Sequence, residues 1–172
     1  MSVNLSQTPQ TGEDFTISRT FDAPRAVVWR ARAEVERMVQ WWGPEGCKLH
    51  VESLDFRPGG LFVYAMDFDQ GARMWGRFVY HDIVAPERLV YTHGFSNAQG
   101  QAARSPFSEN WPLEIHNVLT LTEQDGRTRL DLRSRPIDPT DAERETFRTM
   151  RGSMTEGSNG IFDRLAAYLA HD

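Results

Sequence analysis

The stretch from Lys48 to Pro136 constrains the fold of this chain most, because strand-like segments follow one another with little room for helices between them. Six segments are rich in aliphatic and aromatic residues, and most are separated by turns such as Pro58-Gly59-Gly60 and Asp125-Gly126. Antiparallel strands can be joined by two-residue hairpins, whereas parallel strands need crossovers of a dozen or more residues. The pattern therefore predicts an antiparallel meander of about six strands.

One strand and a helical region precede this meander. The segment "FTISRTFDA" alternates apolar and polar residues from Phe15, which predicts a strand. From Pro24 the apolar residues recur at helical spacing until Gly43-Pro44, as one helix or as two short ones broken near Ala33. The apolar stripe consists of Val28, Ala31, Val35, Met38 and Trp42. This spacing assigns Trp42 to the core and places Trp41, roughly 100° off the stripe, at a cavity rim.

The C-terminal region is predicted to be helical. Thr140 and Glu143 form a capping-box pattern, and an apolar stripe runs from Phe147 to Leu169. Gly157 falls on that stripe, which predicts either a kink or a gap beside the helix, since an interior glycine costs about 1 kcal/mol. A sheet that buries one face needs a covering layer, and this helix is the natural one. The sequence thus predicts an α+β domain over residues 14–172, preceded by a flexible tail at residues 1–13.

Composition excludes several classes of protein. The 172 residues include 25% charged side chains and carry a net charge of -5, which argues against nucleic-acid binding. Cys47 is the single cysteine, so no intramolecular disulfide can form and a small apolar role is expected for it. We find no apolar run of about 18 residues and no cofactor motif. The histidines are far apart in the sequence, and none forms the close pair that is typical of zinc sites. A cytoplasmic protein without a membrane span, metal or cofactor is expected.

Several inward-facing positions of the predicted strands are candidates for a binding site. Phe62, Tyr64, Met66 and Trp75 are aromatic or apolar strand residues that could line a cavity or simply fill the core. His93 lies on the same side of its strand as Tyr91 and Phe95, and its ordinary pKa near neutrality would suit proton transfer. A histidine at the edge of the core, satisfied by a neighbour, is the alternative.

Two further polar features stand out. Asn117 alternates with apolar residues and, if buried, needs a partner, which could be ligand, water or backbone. The segment from Ser96 to Asn110 is long for a hairpin loop, and such loops are often lids over a site or disordered.

The order of several segments resembles that of a known family. These segments are "FDAPRAVVWRA", "WWGPEG", "DFRPGG", "APERLVYTHGF", "WPLEIHNVLTLTE", "GRTRLDLRS" and "FDRLAAYLA". Together they resemble the START-like (SRPBCC) superfamily and, within it, the activator of Hsp90 ATPase homologue 1-like family. The resemblance implies a helix-grip fold, in which a curved antiparallel sheet of six to seven strands wraps a long C-terminal helix. Relatives usually have Gly-Trp where this chain has Gly157-Ser158.

The resemblance also implies a function, namely binding of a small hydrophobic, amphipathic or lipid-like ligand between sheet and helix. The expected cavity residues are Trp41, Phe62, Tyr64, Met66, Trp75, His93, Asn117, Met154 and Gly157. An enzyme of the cyclase or aromatase type, using His93 with Tyr64, is the alternative within the superfamily. A third possibility is a co-chaperone-like domain that binds protein through the outer sheet face, although a chaperone partner is not expected. An exposed strand edge leaves a homodimer open.

Overall fold

The computed structural model describes residues 14–171, so the predicted tail at residues 1–13 lies outside the described residues. Within this range, seven strands form one antiparallel sheet in the order β1-β7-β6-β5-β4-β3-β2. The elements in chain order are β1 (Phe15–Phe21), α1 (Arg25–Ala33), α2 (Val35–Trp41), β2 (Lys48–Leu54), β3 (Leu61–Asp67), β4 (Arg73–Val84), β5 (Arg88–Phe95), β6 (Ile115–Gln124), β7 (Arg127–Pro136), α3 (Asp141–Thr149) and α4 (Arg151–Ala170). The predicted α+β architecture, a curved seven-stranded sheet with a long C-terminal helix, is confirmed.

The first helical region consists of two short helices. Glu34 separates them with an extended backbone, at φ -104° and ψ 127°. Its backbone N–H still donates to the carbonyl oxygen of Arg30, and its carbonyl accepts from Met38 in α2. The second of the two predicted arrangements, a break near Ala33, is therefore the one that forms.

The tryptophan pair at the end of α2 is arranged the opposite way from the prediction. Trp41 is completely buried, and its Nε1 donates to the carbonyl oxygen of Ala31 at 2.9 Å. Trp42 is only partly buried and lies against Tyr64 and Phe78. The helix ends at Trp41 and Trp42 is extended, at φ -67° and ψ 138°, so helical spacing no longer determines where its side chain points.

The C-terminal helical region is also divided. Thr140 and Glu143 form the predicted capping box, with Glu143 N donating to Thr140 Oγ1 at 3.1 Å. Met150, at φ -89° and ψ 6°, separates α3 from the 20-residue α4, which runs without a break through its glycines. Gly157 is exposed and a Cβ there would meet nothing within 4 Å. Its predicted place on the buried stripe is wrong, because α4 buries Phe162 and Leu165 further along.

Helix α4 is fastened to the turn that follows α2. Arg164 Nη1 donates to the carbonyl oxygens of Gly43 at 2.8 Å and Pro44 at 2.9 Å. Gly43 has φ +100°, and a Cβ there would lie 2.7 Å from Cys47 Sγ. Burial raises the pKa of the Cys47 thiol, which suits a small packing residue better than a nucleophile. The turn between the tryptophans and β2 is therefore set by one glycine and one arginine.

Candidate functional site: a cavity between the sheet and the third helix

A cavity of about 500 Å³ lies between the inner face of the sheet and the α3–α4 region. Strands β3, β4 and β5 form one wall, α3 and the following Met150 form another, and the 96–111 segment covers it. The lining residues are Tyr64, Met66, Met74, Trp75, Gly76, His93, Gly94, Phe95, Ser105, Phe107, Ser108, Trp111, Thr146 and Met150. Its lining is mostly apolar, with a few polar groups, as is typical of small-molecule sites.

Four of the sequence-predicted residues border this cavity: Tyr64, Met66, Trp75 and His93. The Trp75 ring, however, packs against His50 and under the Arg73 guanidinium. These contacts place it on the outer face, since Trp75 is paired with Ala65 and not with Tyr64. Trp75 therefore borders the cavity without presenting its ring to the inner face.

The other predicted residues lie elsewhere. Phe62 is completely buried among aromatic rings, with its ring centroid 4.8 Å from that of Tyr64. Met154 packs against the small cluster of Phe15, Ile115 and Phe147. Trp41 is in the core and Gly157 is exposed, as described above, while Asn117 stands behind His93. The cavity thus lies beside α3 and Met150, which separates α3 from α4, and not beside the middle of α4.

Sequence reasoning did not name several residues that line the cavity. Phe95 follows His93 at the strand period and Met150 belongs to the predicted helical stripe, so both carried a signal. Phe107 and Trp111 lie in irregular chain, where periodicity gives no signal. Phe107 is 75% exposed although its ring lies against that of Phe95, with centroids 6.4 Å apart.

The 96–111 segment is fastened at two points. Near its start, Arg77 Nη1 donates to the carbonyl oxygen of Gly100 at 2.9 Å. Near its middle, Arg104 forms an ion pair with Glu143 at 2.9 Å, and Glu143 is the residue that completes the α3 capping box. The cover of the cavity is therefore joined to the helix that forms its opposite wall.

Gly76 makes room for the Tyr64 ring. The two residues are paired across β3 and β4, and a Cβ on Gly76 would lie 2.5 Å from the Tyr64 hydroxyl oxygen. Burial raises the pKa of Tyr64 well above its usual range, so the phenol stays protonated at neutral pH. The absent side chain on β4 lets a neutral phenol occupy the cavity wall.

A buried hydrogen-bond network fixes the His93 ring. Asn117 Nδ2 donates to the carbonyl oxygen of Ile115 at 3.1 Å and lies 2.7 Å from His93 Nδ1, while Asn117 Oδ1 accepts from Ser134 at 2.6 Å. Because the amide nitrogen is a donor, His93 Nδ1 must accept, and the ring proton resides on Nε2. His93 therefore presents an N–H donor on a residue that lines the cavity.

The charge state of His93 follows from its surroundings. Burial, and after it the positive charge of Arg32, together lower the pKa of His93 to about 4. A neutral ring whose Nδ1 lone pair is already used is a weak base but a good hydrogen-bond donor. The geometry thus favours binding of an acceptor group over proton abstraction by His93.

Another concavity, of about 590 Å³, lies on the outer face of β1, β7 and β6. Its side chains are mainly polar and charged, including Arg88, Arg129, Asp131 and Arg133. The predicted protein-binding face therefore carries a charged groove. Its lining is far more polar than that of the inner cavity, so the inner cavity is the candidate site for a small hydrophobic molecule.

Residues 22–170 match the sequence profile of the family described as activator of Hsp90 ATPase homolog 1-like protein. The chain belongs to this family. Its profile spans every element from the start of α1 to the end of α4, and therefore includes all residues of the cavity.

Solved structures similar to this member of the family share its fold along nearly the whole chain. A protein from Arthrobacter aurescens is 25% identical, with a TM-score of 0.77 over 95% of this chain and 91% of that one. Protein Ms6760 from Mycobacterium smegmatis is 24% identical, with a TM-score of 0.75 over 92% and 91% of the two chains. The AHSA1 protein from Silicibacter pomeroyi is 24% identical, with a TM-score of 0.67 over 91% and 97%.

No curated protein matches this sequence. In residues 14–171, every helix is too short or too polar to cross a membrane.

Proposed function

We propose that this protein binds a small hydrophobic or amphipathic molecule in the cavity between the sheet and α3. The observation that carries the proposal is the 500 Å³ cavity itself, which lies within the range of roughly 300 to 1,000 Å³ occupied by small-molecule sites. Burial of apolar ligand surface against Met66, Phe95 and Met150 supplies the main attraction.

Orientation of the ligand comes from the few polar groups on the wall. The His93 ring offers an N–H donor whose direction is fixed by Asn117, and Tyr64 offers a phenol. A rigid donor on an apolar wall favours a ligand with an acceptor group at one end. The exposed Phe107 ring packs on Phe95 at the edge of the cavity and adds apolar surface for the ligand.

The experiment uses a neutral fluorescent apolar probe, N-phenyl-1-naphthylamine, whose emission increases when it leaves water. The blocking variant is Thr146→Trp, because Thr146 lies on the cavity wall and is carried by a helix. The matched control is Thr149→Trp, an exposed position on the same helix that is not part of the lining.

We expect saturable binding to the wild-type protein and to Thr149→Trp, and at least about tenfold weaker binding to Thr146→Trp. Circular dichroism and urea unfolding establish that all three proteins are folded. Equal probe binding by both tryptophan variants would mean that the probe sits elsewhere, and the proposal would be wrong.

A further inference from the structure

Arg32 is a buried arginine without a carboxylate partner. Its exposed fraction is 6%, and within residues 14–171 no carboxylate oxygen lies in ion-pair distance of its guanidinium. The guanidinium donates from Nη2 to the Tyr91 hydroxyl at 3.0 Å and stacks on the rings of Trp42 and Tyr91. Buried charges are normally paired, so this one lacks its usual compensation.

The same region holds a buried donor without an acceptor, Arg32 Nε. Trp42 Nε1 is directed towards the Tyr64 hydroxyl but makes no well-formed hydrogen bond with it. The two groups are neighbours, since Arg32 Cζ lies 5.2 Å from the centre of the Trp42 ring. Both nitrogens can only donate, so they add to the positive character that the Arg32 charge gives this region.

This donor-rich region lies directly behind the cavity wall. Trp42 contacts Tyr64 with ring centroids 6.4 Å apart, and Tyr91 contacts His93 with centroids 6.3 Å apart. Tyr64 and His93 both line the cavity. The charge of Arg32 is therefore separated from the cavity by a single layer of rings, in surroundings where water screens it little.

We propose that the ligand of this cavity carries a carboxylate, which sits against His93 and Tyr64 and is attracted by the uncompensated charge of Arg32. This inference rests on the proposed function and specifies the chemical class of the ligand: an acid with an apolar body. His93 Nε2–H supplies a direct hydrogen bond, the Tyr64 phenol can supply a second, and Arg32 supplies the positive charge. The apolar part of the molecule extends towards Phe95, Phe107 and Met150.

The test compares two probes that share an apolar chain and differ in the head group, decanoate and 1-decanol. Each displaces N-phenyl-1-naphthylamine from the protein at about pH 7.5, where the acid is ionised. The variant is Arg32→Met, which should fold because an apolar side chain replaces an unpaired buried charge. The matched control is Arg30→Met, an exposed position on the same helix with the same change in net charge.

For the wild-type protein and Arg30→Met, we expect decanoate to bind at least about tenfold more tightly than decanol. For Arg32→Met, decanol should bind as before and the preference for decanoate should fall to threefold or less, by the same reasoning. Equal affinity of the wild-type protein for both probes would overturn the carboxylate inference and leave the cavity proposal intact. A preference retained in Arg32→Met would also overturn it. Failure of both probes and of the fluorophore to bind would contradict the proposed function itself.

Discussion

The Asn117 amide holds the His93 ring in a single tautomer, with 2.7 Å between Asn117 Nδ2 and His93 Nδ1. The amide cannot turn over without cost, because its oxygen accepts from Ser134 and its nitrogen also faces the carbonyl oxygen of Ile115. One nearly inaccessible asparagine thus decides which ring nitrogen of His93 is a donor. This relationship gives the first prediction.

Asn117→Asp should move the His93 proton from Nε2 to Nδ1. The new carboxylate accepts where the amide donated, so it favours the Nδ1–H tautomer and raises the pKa of His93. Nitrogen-15 NMR of the imidazole at neutral pH distinguishes the two tautomers directly. Asn117→Leu is the control, because it removes the donor without adding a charge. An unchanged Nε2–H signal in Asn117→Asp would contradict the assigned network.

The stability of the protein should depend on pH through His93. Its folded-state pKa of about 4 lies below the ordinary value of 6.5, so between these values the unfolded chain binds more protons than the folded one. The free energy of unfolding should therefore fall as the pH drops from 6.5 to 4, by on the order of 3 kcal/mol from this residue.

Urea unfolding of the wild-type protein and of His93→Gln across this pH range measures the effect. The variant should lose less stability on acidification than the wild-type protein. His116 acts in the same direction, because burial and then the charge of Arg135 lower its pKa, but its contribution is common to both proteins and cancels in the difference. Parallel curves for the two proteins would show that His93 takes up a proton freely in the folded state.

Arg164→Met should destabilise the fold by about 2 to 3 kcal/mol, because charged hydrogen bonds to the carbonyls of Gly43 and Pro44 are lost. Arg164→Lys should recover part of the lost stability, since the ammonium is also a charged donor. The recovery should be incomplete because the ammonium lacks the planar guanidinium's arrangement of donors. Urea unfolding with an unchanged denaturant dependence is the measurement. A Met variant as stable as the wild-type protein would mean that water replaces the guanidinium at no cost.

Gly76→Ala should destabilise the protein by about 1 to 3 kcal/mol, the usual cost of overpacking, since its Cβ would collide with the Tyr64 ring. Tyr64 lines the cavity, and a shift of its ring into that space should weaken binding of N-phenyl-1-naphthylamine as well. Thermal unfolding and probe titration measure the two effects. Loss of stability with unchanged probe binding would show that Tyr64 moves in another direction.

Gly157→Ala should do the reverse and stabilise the protein, by up to about 1 kcal/mol. The position lies inside α4 and a Cβ there meets nothing within 4 Å, so only the helix propensity changes. Urea unfolding measures the gain, and Gly152→Ala provides a second instance in equally open space. A destabilised Gly157→Ala protein would indicate that something packs closely against this part of α4.

The sheet could be predicted from the sequence because its signals are local. Strand alternation and turn residues such as Asp125-Gly126, which adopt φ 54° and 76°, act within a few neighbours. The prediction for Trp41 and Trp42 was wrong because it extended the helical period one residue beyond the end of α2. Gly157 was misplaced because the spacing of apolar residues gives the face of a helix but not how far along it the core extends.

The candidate site was only partly predictable for the same reason. Tyr64 and His93 follow from strand parity, whereas the covering segment with Phe107 has no period to use. Arg32 carried a signal that was not used, since it follows Val28 by four residues and so shares its buried face. A charged residue on such a face contradicts the usual pattern. The proposed preference for a carboxylate ligand rests on this residue.

The contact between Arg164 and the Gly43 carbonyl joins residues that are 121 positions apart in the chain. During synthesis, the carbonyl groups of the turn after α2 therefore remain without their partner until Arg164 has been made. Strand β1 waits similarly, because it pairs only with β7. Such distant pairings slow folding and leave early segments exposed while synthesis continues. The segment from β1 to the turn after α2 is consequently the part of the fold whose native partners are made last.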